Sequence, residues 1–103
     1  MQTISTEVTM ENERKAVRVR LSGRVQGVCF RVWTRTEAEK LGLSGWVRNE
    51  YDGSVTALIV GAEGAVSTMM DRFWKGPNGA SVSGVTSQDV DPGQEPNGFR
   101  IIG

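Results

Sequence analysis

Histidine is absent from the 103 residues, and cysteine occurs once, at Cys29. Without an imidazole there is no Ser-His-Asp or Cys-His nucleophile, no histidine base near neutral pH and no His-ligated zinc. A single thiol excludes an intrachain disulfide and a thiolate metal cluster. A fold independent of such bridges suits a reducing, cytoplasmic setting. Long apolar runs are missing too. The longest, Ala57-Leu58-Ile59-Val60, falls far short of the about 20 residues that span a bilayer. Met1 to Lys15 is polar and lacks the apolar stretch of about 7–15 residues in a signal peptide. It reads as a flexible N-terminal extension, with residues 16–103 forming one domain. Neither sign of charge dominates: 12 Lys and Arg balance 12 Asp and Glu, which argues against a uniformly basic nucleic-acid coat.

That neutrality is uneven along the chain. Residues 1–13 hold three acids and no base, and residues 14–48 hold nine bases against two acids. Residues 49–103 hold three bases against seven acids. The positive block is where an anion would be drawn in.

Hydrophobic periodicity gives the element order. Ala16 to Ser22 alternates apolar and polar residues, placing Val17, Val19 and Leu21 on the core side of a strand. Arg31 to Leu41 has helical composition, with Phe30, Thr34, Ala38 and Leu41 on one side and Glu37 beside that stripe. Gly42 stands where a helix C-cap glycine belongs. Gly45 to Glu50 and Ser54 to Val60 read as a hairpin around Asp52-Gly53. Val66, Met69, Met70 and Phe73 mark a helix over 63–75, closed by Gly76-Pro77. Ala80 to Val90 reads as an edge or bulged strand, Asp91-Pro92-Gly93 as a turn, and Phe99 to Ile102 as a last strand. The order β-α-β-β-α-β is the split βαβ, ferredoxin-like α/β (α+β) sandwich: an antiparallel sheet of four to five strands with two helices on one face.

Two places carry candidate chemistry. Gly23 to Arg31 links a strand end to a helix start, where free N–H groups and glycine-permitted curvature cradle anions. Arg31 adds a planar fork of donors matched to phosphate oxygens. A turn glycine beside a solvated arginine accounts for the same residues. Asn49 ends the string Gly-Trp-Val-Arg-Asn; it both donates and accepts, but on spacing alone an Asn closing a strand before the Asp52-Gly53 turn fits better. Cys29 reads as a small buried hydrophobe, since no histidine is there to activate it. Trp33, Trp46 and Trp74 read as packing residues, and the aromatic signature of RNA-binding ferredoxin-like modules is missing. Glu50, Asp52 and Glu63 do not suggest a metal site.

The strings Gly23-Arg24-Val25-Gln26-Gly27-Val28-Cys29-Phe30-Arg31, Leu41 to Asn49 and Asp52-Gly53-Ser54-Val55 resemble the acylphosphatase family, over roughly residues 16–102. The resemblance implies a ferredoxin-like sandwich. It also implies metal-independent hydrolysis of the carboxyl–phosphate bond of small acyl phosphates, with no cofactor and no nucleic-acid or membrane partner, by a monomer. It places the catalytic arginine at Arg31 and the catalytic asparagine at Asn49. The backbone phosphate cradle falls on Gln26, Gly27, Val28, Cys29 and Phe30. Thr56 stands where the family often has an acidic residue. The alternatives are a non-catalytic acyl- or carbamoyl-phosphate-handling module and an RNA-binding ferredoxin-like domain. Arg31, Asn49 and an end near Gly103 favour the stand-alone enzyme.

Overall fold

The computed structural model describes residues 13–91 and 93–103. The extension expected over residues 1–15 therefore lies outside the described residues as far as residue 12. Strand β1 (Arg14–Arg24) already includes Arg14 and Lys15, which pair with Ala62 and Gly61. The remaining elements are α1 (Phe30–Lys40), β2 (Ser44–Asn49), β3 (Val55–Ala62), α2 (Glu63–Lys75), β4 (Ser81–Asp89) and β5 (Phe99–Ile101).

The five strands form one sheet in the order β4-β1-β3-β2-β5. Three of its four pairings are antiparallel, but β5 runs parallel to β2. The sheet is thus mixed, not wholly antiparallel as the element order suggested. The reason is directional: the chain reverses once after β4 and crosses to the far edge, where β2 also runs opposite to β4. Gly98 C=O accepts from Gly45 N–H at 2.9 Å, and Val47 C=O accepts from Ile102 N–H at 2.9 Å, fastening this last strand at both ends.

The alternation of β1 sends Val17, Val19 and Leu21 into the core, fully or almost fully buried. They meet Phe30 and Ala38 of α1 and Val66, Met69 and Phe73 of α2. Burying each large side chain contributes on the order of 2 kcal/mol. Phe30 stacks on Phe73 with centroids 6.5 Å apart, and Trp33 tilts against both rings. Glu37, which disturbed the apolar stripe, accepts from Arg72 of α2 at 2.9 Å and so ties the two helices together. Trp46 lies on the opposite, helix-free face, flanked by the guanidinium groups of Arg18 and Arg48 at 5.7 and 5.0 Å. Trp74 is 54% exposed. Its expected packing role is therefore not met, because it falls on the solvent side of α2.

Strand β4 is an edge strand, and the register slips between Ser22 and Gly23 where Ser83 is the extra residue. At Gly45, φ is +139° and an added Cβ would stand 1.8 Å from Leu58 C=O. Only glycine lets β2 approach β3 there, and that approach sets where Asn49, at the other end of β2, is delivered.

Candidate active site

Beyond β1 the chain is anchored by Val25, fully buried, whose N–H donates to Gly23 C=O at 3.1 Å. It then curls. Gly27 has φ +76°, and Cys29, the N-cap of α1, sits in the left-handed region at φ 61°, ψ 28°. Cys29 is the one non-glycine residue with positive φ among the described residues. Such a conformation costs about 1–3 kcal/mol and collects at functional sites. Left-handed turns among right-handed ones converge successive N–H groups into an anion-binding nest.

Among the described residues, no backbone carbonyl accepts from the N–H groups of Gln26 through Val32. Cys29 supplies no side-chain cap, and the first turn of α1 contains no acidic residue. Seven N–H groups and the positive end of the helix dipole thus lack an internal acceptor or counter-charge. The Cys29 thiol is exposed, which corrects the buried reading of this residue: the left-handed N-cap turns the side chain outward.

The loop, the first turn of α1, the end of β2 and Ile101 of β5 enclose a cleft of about 370 Å³. It is lined by Val25, Gln26, Gly27, Cys29, Phe30, Arg31, Val32, Asn49 and Ile101. Of the seven residues singled out from the sequence, six line it. Val28 does not; its side chain packs toward Gly79 and the core. Arg31 is half-buried and makes no ion pair among the described residues. Asn49 closes β2 opposite Val55, and its Oδ1 is buried without a hydrogen-bond partner. An amide oxygen left this way costs free energy until a donor reaches it. The cleft is therefore lined by a loop whose N–H groups lack backbone acceptors and by Asn49, whose buried Oδ1 has no partner.

Val25, Val32 and Ile101, as lining residues, went unmarked in the sequence, as did the side-chain role of Gln26. Their apolar or amide side chains carry no chemical signal, and only the crossing of β5 brings Ile101 near. Among the described residues no group of three His, Cys, Asp or Glu side chains is placed to hold a metal ion. No helix among them is long and apolar enough to cross a membrane.

Two carboxylates flank the site in the β2–β3 turn. Glu50 titrates below its ordinary value, chiefly because Arg48 donates to it at 2.8 Å, with Thr56 assisting. Asp52 is lowered by the Ser54 hydroxyl (2.6 Å) and Ser54 N–H (3.0 Å), and then by the Arg20 charge. A lowered folded-state pKa means stability that is complete above the unfolded value, about 4, and lost as pH falls through the folded value. Thermal unfolding should hold steady from pH 8 to pH 5 and drop at pH 3. In Asp52→Asn the Tm at neutral pH should be lower and the drop at pH 3 smaller. An unchanged drop would place the acid sensitivity elsewhere.

The split βαβ sandwich thus brings Arg31, Asn49 and the loop from Gln26 to Phe30 to one cleft. Residues 17–101 match the family model described as Acylphosphatase. An acylphosphatase of Rhizobium meliloti (strain 1021) is 65% identical over 92 residues, covering 89% of this chain and 97% of that one. The solved acylphosphatase of Coxiella burnetii superposes with TM-score 0.84 at 34% identity, over 88% of this chain and 94% of that one. T. kodakarensis HypF matches at TM-score 0.78 and 23% identity, over 86% of this chain but 12% of its own length, a likeness of fold alone. The chain belongs to the acylphosphatase family, enzymes that hydrolyse acyl phosphates.

Proposed function

We propose that the cradle from Gln26 to Phe30 and Arg31 bind the phosphoryl group of an acyl phosphate while Asn49 holds the attacking water, with no metal taking part. The observation that carries this reading is the run of backbone N–H groups from Gln26 to Val32 without acceptors, in a segment that, Val28 apart, lines the same cleft as Asn49. Charge in phosphoryl transfer spreads over the three equatorial oxygens, and preorganised donors aimed at those oxygens lower the barrier. Asn49 Oδ1 accepts a hydrogen bond from the water and fixes its oxygen in line with the bond to be cleaved. The water oxygen bonds to phosphorus as the bond to the carboxylate oxygen breaks, releasing a carboxylate and phosphate. The carboxylate's conjugate acid has a pKa of about 4, so it departs without a general acid. The water's proton passes to a phosphoryl oxygen of the substrate. A chain without histidine is suited to this one hydrolysis.

The substrate is a small molecule, and the chain works as a cytoplasmic monomer without nucleic acid. The lone thiol and the balanced charge support that reading. Benzoyl phosphate should be hydrolysed at the same rate with and without an excess of chelator, following dialysis against it. Loss of turnover in chelator, restored by a divalent cation, would overturn the metal-free mechanism.

A further inference from the structure

The cradle and Asn49 belong to parts of the sheet that do not touch. The cradle follows β1, Asn49 ends β2, and β3 lies between those strands. One side chain bridges the gap. Gln26 Nε2 donates to Glu50 C=O and to Ser54 C=O, each at 2.9 Å, across 24 and 28 residues of sequence. These two carbonyls stand at either side of the Tyr51-Asp52-Gly53 turn. Glu50 is also the residue after Asn49, and its own N–H donates to the same Ser54 C=O at 2.8 Å. Among the described residues no backbone hydrogen bond joins the cradle to this turn.

We propose that the Gln26 side chain is a positioning residue for the hydrolysis. Its two N–H groups hold the phosphate cradle at the fixed distance from Asn49 that puts the water in line with phosphorus. The proposal rests on the roles assigned above to the cradle and to Asn49. Both amide hydrogens are used and both acceptors are main-chain, so the clamp fixes backbone to backbone through one side chain of limited freedom. An in-line attack tolerates little slack: displacement by about 1 Å costs on the order of 100-fold in rate. Phosphate affinity depends on the cradle and Arg31 and does not need the clamp.

Gln26→Met keeps the length and removes both donors. It should lower kcat for benzoyl phosphate about 30- to 100-fold, while KM and the inhibition constant of inorganic phosphate move less than about threefold. Gln26→Glu adds a readout that loop packing alone would not move. As a carboxylate it cannot donate; once protonated it donates one bond, so its kcat relative to wild type should climb as pH is lowered from 7 to 5. Asn49→Ala is assayed alongside. If that variant keeps its turnover, the site roles themselves fail. If it loses turnover while Gln26→Met stays within twofold of wild type, only the clamp is overturned. Equal losses of kcat and phosphate affinity in Gln26→Met, or a flat relative pH profile in Gln26→Glu, would likewise overturn it.

Discussion

Arg31→Lys is expected to lower kcat/KM for benzoyl phosphate by on the order of 10³-fold, with phosphate inhibition weakened about tenfold. The size follows from what an arginine contributes at a phosphoryl group, commonly about 10³- to 10⁵-fold in rate. Lysine keeps the charge but is a compact point donor and cannot present two parallel N–H groups to two oxygens. Arg31 is half-buried at the lip of the cleft and lies in the first turn of α1, one residue beyond Phe30, whose ring stacks on Phe73. Its backbone is held by the core, so the substitution tests the head group and not the helix. An unchanged melting temperature would show this directly. Near-normal hydrolysis by the lysine variant would remove Arg31 from the role given to it.

Asn49→Ala should produce the opposite split. Asn49 lines the cleft and its buried Oδ1 has no partner, and nothing in the cradle depends on it, so the phosphate inhibition constant should stay within about threefold of wild type. Turnover should fall by about 10²- to 10³-fold, the usual consequence of deleting one preorganised polar group at a reacting centre. Alanine also removes a buried unsatisfied oxygen, so the variant should be no less stable than wild type, an outcome that strand-capping by Asn49 would reverse. Measuring kcat, phosphate inhibition and Tm on the same preparation decides between water holding and a structural role. If turnover and binding both persist, water is positioned by another group.

Much of this was legible in the chain because local signals agreed with the global fold. The alternation of Val17, Val19 and Leu21 and the spacing of Val66, Met69 and Phe73 placed the core faces. The long string from Gly23 to Arg31 marked a loop that lines the cleft. Relationships between elements distant in sequence stayed hidden. The parallel pairing of β5 depends on where the chain crosses after β4, which no periodicity encodes. The outward thiol of Cys29 depends on a left-handed N-cap that composition would assign to glycine or asparagine. The Gln26 clamp joins residues 24 and 28 positions apart, and glutamine in a loop looks like any solvated amide. Glu37 looked like a flaw in its helix until Arg72 of the other helix was placed beside it.

The cleft draws its walls from β1's exit, α1, the end of β2 and Ile101 on β5, and β5 is the last strand of the sheet. Loop closures of this range are slow to form and give little until the final strand docks. Catalysis is therefore expected only once that strand has docked, even where the cradle and Asn49 are already in place. Recovered activity after denaturation should therefore report the completed topology and not a collapsed precursor.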